Sequence, residues 1–175
     1  EKFSGVYNSP ILKEILPFPY TLIKFVRVRL GFMTQTGNPK SIRRVDDLTR
    51  PDVMIINRQE GSGSRGLLHR LMNDAKITSP DIRGHDYFVS NHMEIARVVR
   101  TGLVDCGIGV EAAARISDLS FVPICEEPYD LVIPNHFLDL PAVSTLLDIL
   151  KSRELISHVE ALGGYDAISI GTYYN

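Results

Sequence analysis

The stretch that most restricts what this chain can fold into begins at Val53. Val53-Met54-Ile55-Ile56 is an uninterrupted apolar run. Asn57-Arg58-Gln59-Glu60-Gly61-Ser62-Gly63-Ser64-Arg65-Gly66 follows it, and Leu67, Leu68, Leu71 and Met72 then recur at helical spacing. A short continuous apolar run reads as a strand covered on both faces, the situation of a parallel sheet. Strand, glycine-rich turn and helix in that order form the opening half of a βαβ unit.

The rest of the chain alternates in the same way. Ser9-Pro10 predicts an N-cap followed by proline at the first helical position, with a short helix over residues 11–16 stopped by Pro17. Strands are expected over residues 20–28 and 32–34, separated by Arg29-Leu30-Gly31, and a turn at Gly37-Asn38-Pro39. Residues 41–48 suit a short helix that buries Ile42, Val45 and Leu48. Tyr87-Phe88-Val89 leads to a helix whose start carries Asn91 and Glu94 at the spacing of a capping box. Strands follow over residues 104–110, 121–124 and 130–133, with a short helix from Glu111. Helices over residues 140–151 and 154–162 close the chain, the second ending at Gly163-Gly164. Strands alternating with helices give an α/β class, and no internal repeat is present.

With 175 residues, 44% apolar and 23% charged, the chain suits one domain or two small lobes. Nineteen Lys and Arg against 21 Asp and Glu leave no basic excess for holding a nucleic-acid backbone, so direct nucleic-acid binding by this segment is not expected. No apolar run reaches the roughly 20 residues that span a bilayer, and Glu1-Lys2-Phe3-Ser4-Gly5 is not a signal pattern. Cys106 and Cys125 form no CxxC pair and read as two buried thiols in a reducing, cytoplasmic setting.

The chemistry concentrates between Arg58 and Gly66. A glycine-rich turn into a helix leaves backbone N–H groups without partners at the positive end of the helix dipole, a site for an anion. Ser62 and Ser64 add hydroxyls, Gly63 allows close approach, and Arg58 and Arg65 can grip a carboxylate, phosphate or metal oxyanion. No Lys follows the glycines as a P-loop requires, and no acidic residue stands where a dinucleotide fold needs one. The competing reading makes Gly61 and Gly63 a plain tight turn, Ser64 a helix cap, and Arg58 the partner of Glu60 or of another surface acid. Ser90-Asn91-His92 is a second helix start with similar donors. His69, His85, His92, His136 and His158 lie in no nucleophile motif and no metal-ligand spacing, so neither catalysis nor a metal or other cofactor is expected. The apolar faces of the last two helices, with Leu146, Leu147, Leu150, Leu155, Ile156 and Val159, are read as core, the alternative being an interaction module.

Several segments together carry a family resemblance: residues 57–65, Gly84 with Ser90-Asn91-His92, residues 96–114 through Gly102-Leu103-Val104-Asp105-Cys106-Gly107-Ile108-Gly109-Val110-Glu111, and Glu127-Pro128-Tyr129-Asp130-Leu131-Val132-Ile133-Pro134. Gly5-Val6-Tyr7-Asn8 and Leu162-Gly163-Gly164-Tyr165-Asp166 extend it. The chain resembles the periplasmic-binding-protein-like substrate-binding domain that is fused to helix-turn-helix regulators and to molybdopterin-biosynthesis proteins. The family usually has Thr before the His of the second helix start, where this chain has Ser90 and Asn91.

The resemblance implies one type II domain over residues 1–175: two lobes joined by crossover strands, the second lobe at roughly 30–130. The N-terminal part of the first lobe is expected to be missing, because the family continues upstream of its Gly-x-Tyr-Asn stretch. It also implies a small anionic ligand, molybdate or tungstate first and a phosphorylated molybdopterin-like compound second. The implied ligand-binding residues are Arg58, Ser62, Gly63, Ser64, Arg65, Ser90, Asn91 and His92, joined by Glu111 and Tyr129. A fused regulatory or biosynthetic domain is the implied partner.

Overall fold

The computed structural model describes Glu14 and residues 16–174, so the helix expected over residues 11–16 falls almost wholly outside the described residues. The chain forms two compact units. The larger comprises Arg27–Glu127 and Val159–Asp166, and the smaller comprises Glu1–Val26, Pro128–His158 and Ala167–Asn175. The chain passes from one to the other inside β1 (Tyr20–Thr34) and β5 (Ser120–Pro134), and again between His158 and Val159 and between Asp166 and Ala167.

In the larger unit β1 pairs antiparallel with β4 (Cys106–Val110), from Leu30 opposite Val110 to Thr34 opposite Cys106, and the strand order is β4-β1-β5. The short β6 (Tyr165–Asp166) pairs with β1 at Val28 and Arg27. Beside β4 the direction of pairing changes. β2 (Asn57–Arg58) and β3 (Phe88–Val89) run parallel, and Ile55 forms a parallel bridge with Cys106. Residues 54–59 are hydrogen-bonded along both edges. On one side Ile55, Asn57 and Gln59 donate N–H to the carbonyls of Arg83, Tyr87 and Val89. On the other, Ile56 donates to Cys106, and Asp105 to Met54. The apolar run therefore lies in an interior position, which is why Val53, Ile55 and Ile56 are buried.

Each of these parallel segments feeds a helix: α1 (Gly63–Ala75) after β2, α2 (His92–Arg100) after β3 and α3 (Glu111–Ile116) after β4. The helices bury Leu67, Leu68, Ile95, Val99 and Ala113 around Phe32, Met33 and Ile108 of the sheet. A side chain the size of Phe32, 1% exposed, contributes about 2–3 kcal/mol by leaving water. In the smaller unit Ile23 bridges to Tyr173, Gly171 donates its N–H to the carbonyl of Lys24, and Tyr174 Oη donates toward the Asp130 carboxylate at 3.0 Å. That unit holds α4 (Pro141–Leu150) and the start of α5 (Arg153–Leu162). Leu150 is buried there, whereas Leu146 is exposed, so only part of the apolar face read as core is covered.

Three expectations are corrected by the structure, each for a physical reason. Arg29-Leu30-Gly31 does not interrupt β1, because Gly31 serves close approach: a Cβ there would lie 2.3 Å from the carbonyl oxygen of Val122 in β5. β5 runs unbroken through Pro123 and Pro128. It stands at the end of the strand order, where a residue without an N–H is tolerated. The helix expected over residues 41–48 contracts to a 3-10 turn at Val45–Thr49. Asn38 instead clamps the preceding loop, its Oδ1 accepting from Ile42 N–H and its Nδ2 donating to Ile42 O, while Ile42, Val45 and Leu48 are buried as expected.

Candidate functional site

Because β2 and β3 run parallel, and Ile55 runs parallel to Cys106, the starts of α1, α2 and α3 all fall on the carboxyl edge of the same parallel segments. In open α/β sheets this is the edge where ligands bind. Ser62, Gly63, Ser64, Arg65, Ser90, Asn91, His92 and Glu111 are all placed there by topology, although the three groups are well separated in sequence.

At α1 the cap is Ser62, not Ser64. Ser62 Oγ accepts from Arg65 N–H at 3.3 Å and its carbonyl accepts from Gly66 N–H at 3.0 Å. Ser64 is 5% exposed. The N–H groups of Gly63 and Ser64 have no hydrogen-bond partner among the described residues. Arg65 turns back on the loop, with Nε 2.8 Å from Glu60 Oε1 and an N–H of its guanidinium donating to the carbonyl of Arg58 at 3.2 Å. The partner of Glu60 is thus Arg65. Arg65 holds the turn in shape, and Arg58 stays half-buried with Gln59 Oε1 at 3.2 Å and no carboxylate partner among the described residues.

At α2 the capping box is displaced by one residue. Asn91 Oδ1 accepts from Glu94 N–H at 2.9 Å, and Glu94 Oε2 accepts from Ser90 N–H at 2.8 Å. Asn91→Ala is expected to cost about 1 kcal/mol, a melting decrease of roughly 3 °C for a chain of this size, read by thermal circular dichroism. His92, the first helical residue, is half-buried. Its Nδ1 has no hydrogen-bond partner among the described residues and lies 3.3 Å from where a Cβ on Gly109 would stand. Burial, helped by the nearby charge of Arg58, lowers its pKa to about 4. His92 therefore presents a neutral ring beside an uncompensated guanidinium.

Glu111 sits at the same edge but its charge is engaged. Its Oε1 accepts from Arg115 at 2.7 Å, its Oε2 lies 2.9 Å from Arg29, and it is 6% exposed. Tyr129 belongs to the smaller unit, where it is exposed. Glu127 is a residue that sequence reasoning missed: Oε2 would stand 3.7 Å from a Cβ on Gly63, while Oε1 faces Arg70 at 3.7 Å. Burial pushes the Glu127 carboxyl above its ordinary pKa. No local spacing marks Glu127, because it lies in the middle of β5 and only tertiary packing brings it near the start of α1. Cys106 is buried with a raised pKa, and Cys125 is only half-buried. Among the described residues no group of three or more His, Cys, Asp or Glu could hold a metal ion, and no helix is long and apolar enough to cross a membrane.

The family model described as the PBP superfamily domain matches residues 1–151. The chain is 35% identical over 164 residues to the "Uncharacterized protein YvgK" of Bacillus subtilis (strain 168), covering 93% of this chain and 53% of that one. It therefore spans about half of YvgK. A Clostridium pasteurianum protein, named for its place in the 5' region of a 2Fe-2S ferredoxin gene, is 32% identical over 91 residues, covering 51% of this chain and 80% of its own. Among solved structures, a two-component system signal-transduction protein superposes with TM-score 0.65 at 17% identity, covering 85% of this chain and 56% of that one. PEB3 with bound L-phospholactate gives 0.57 at 15%, covering 83% and 68%. A Clostridium perfringens protein solved with bound phosphate gives 0.58 at 13%, covering 82% and 70%.

Proposed function

Because the chain belongs to the PBP superfamily domain family and has the mixed α/β fold of type II periplasmic binding proteins, we propose that it is a receptor domain for a small oxyanion, molybdate or tungstate first, and that this anion site is non-catalytic. The observation that carries this reading is the start of α1: two N–H groups without partners, at Gly63 and Ser64, beside the half-buried Arg58 that no carboxylate neutralises. Helix-terminal amides and a guanidinium supply aligned donors and positive potential without the cost of stripping a protein anion first. Ser62 contributes mainly as the cap, and Arg65 as the brace of the loop. His92 contributes a neutral ring from the start of the next helix. The family resemblance supports a link to molybdenum-cofactor metabolism or its transcriptional control, in the cytoplasm, through a fused helix-turn-helix or biosynthetic domain.

A second reading, a phosphorylated molybdopterin-like ligand, is favoured by Glu127. A half-buried carboxylate next to the free amides accepts hydrogen bonds, which a bare molybdate has no proton to give and the amino and amide N–H groups of a pterin can. Two structural neighbours were solved with phosphate or L-phospholactate bound, which is in keeping with either ligand.

Titration calorimetry with molybdate, tungstate, sulfate, phosphate and a phosphorylated pterin tests both readings. Saturable heat with molybdate or tungstate is expected, weakened about tenfold or more by Arg58→Ala, since a charge-assisted hydrogen bond contributes roughly 1.5–3 kcal/mol. Binding of the pterin phosphate alone selects the second reading. Silence from all five ligands would remove the receptor assignment.

A further inference from the structure

Apart from the start of α1, the segment from the 3-10 turn at Ser79–Asp81 to β3 collects three reactive side chains. His85 is 6% exposed. Its Nδ1 lies 2.9 Å from Asp86 Oδ1 and its Nε2 lies 3.4 Å from Ser79 Oγ. An ionised carboxylate can only accept, so Nδ1 carries the ring proton and the Nε2 lone pair faces the Ser79 hydroxyl. The ring is stacked on His69, centroids 5.5 Å apart and planes 19° from parallel, and the His85 carbonyl accepts from Asn57 Nδ2 at 3.1 Å. The base is thus held from its backbone and from one ring face. Ser79, His85 and Asp86, with Pro80, Ile82 and Tyr87, line an open hollow of about 430 Å³.

We propose that Ser79 is a base-activated nucleophile and that this hollow is a second site, one that takes the acyl group of small carboxylic esters. Nucleophile, base and orienting acid stand in the order such chemistry requires, with the first contact at the loose distance common before substrate arrives. Ser79 Oγ attacks the ester carbonyl while its proton passes to His85 Nε2. The C–O bond to the alcohol breaks, and the alcohol leaves with that proton. Water then attacks the acyl-serine, its proton going to Nε2 and on to Ser79 Oγ, releasing the carboxylic acid. No oxidant or metal is needed. The N–H groups of Gly84 and Asp86, without partners among the described residues, are the donors this loop has for the carbonyl oxygen. The Asp86 side chain is 90% exposed, so it orients the ring more than it charges the site, and turnover is slow.

The test treats the whole chain with p-nitrophenyl acetate and, separately, with a fluorophosphonate probe, mapping the modified residue by peptide mass spectrometry. The expected result is acyl and phosphonyl adducts on Ser79, with Ser79→Ala losing the adducts and at least tenfold of the ester hydrolysis rate. His85→Gln should lower the rate comparably. Should that variant fold poorly, the mapped adduct in the unaltered chain still decides the matter. Modification elsewhere, no modification, or hydrolysis undiminished in Ser79→Ala would overturn the proposal, the last showing simple acylation of surface histidines.

Discussion

Gly84→Ala is expected to destabilise the protein by about 4 kcal/mol and to lower its melting temperature by roughly 10 °C. Two costs add at this position. Its φ is +81°, a region that an L side chain enters at about 1 kcal/mol or more, and a Cβ there would stand 2.1 Å from the carbonyl oxygen of Ile55. The obstacle is backbone, so no rotamer change relieves it. Ile55 is also fixed from both sides, donating to Arg83 and bridging to Cys106, so any relief must bend the most buried parallel segment or detach the loop over residues 82–87. Urea unfolding followed by circular dichroism measures the effect. A variant within 1 kcal/mol of the unaltered protein would show that the loop does not lie against Ile55.

The second large effect is a pH dependence centred on His92. Its pKa is about 4 in the folded chain against 6.5 for an ordinary histidine, through burial first and the charge of Arg58 second. Between these values the unfolded chain binds the proton and the folded chain does not, so stability falls as pH drops from about 6.5 to about 4 and then levels off. The loss is about 2 kcal/mol once the ring's residual solvent access is discounted. Glu127 acts in the opposite sense. Its folded pKa lies above the ordinary 4.5, so it returns stability as pH falls through that value. The lowered carboxyls of Asp47, Asp52 and Asp81 give stability that is lost only below about pH 4. His92→Gln isolates the histidine: its stability relative to the unaltered protein should improve by about 2 kcal/mol between pH 7.5 and pH 4.5, measured by denaturant midpoints. A constant difference would mean that the ring takes up its proton in the folded state as freely as in the unfolded one. An oxyanion bound beside Arg58 removes part of the cause and should shrink the effect, making binding tighter toward pH 5.

Much of this architecture was legible because it rests on local signals. The apolar run at Val53, the glycines after it and the Asn91–Glu94 spacing specify strand, turn and helix within a few residues of one another. The placement of Ser62 to Arg65 and Ser90 to His92 on one sheet edge follows from parallel pairing, which alternation already implied. What stayed hidden depends on contacts between distant segments. Gly31 reads as a turn unless β5 is known to press on it, and Glu127 reads as one of two surface acids until β5 is laid beside the other strands. The competing reading put the helix cap at Ser64, whereas Ser62, two residues earlier, is the serine whose hydroxyl accepts from Arg65 N–H. The role of Ser79 escaped notice because His85 is reached through a loop whose path no periodicity encodes.

The two units exchange the chain inside β1 and again inside β5, and this bears on how the protein is made. Ile23 must wait for Tyr173, synthesised 150 residues later, before its bridge can form. As the polypeptide leaves the ribosome, the larger unit has most of its residues, Arg27–Glu127, in hand while the smaller one still lacks two of its three segments. Non-local closure of this kind is slow. The smaller unit is therefore the later to mature, and a nascent chain with residues up to about 130 outside the ribosomal tunnel should already protect the amides of β4 while leaving those around Ile23 open to exchange.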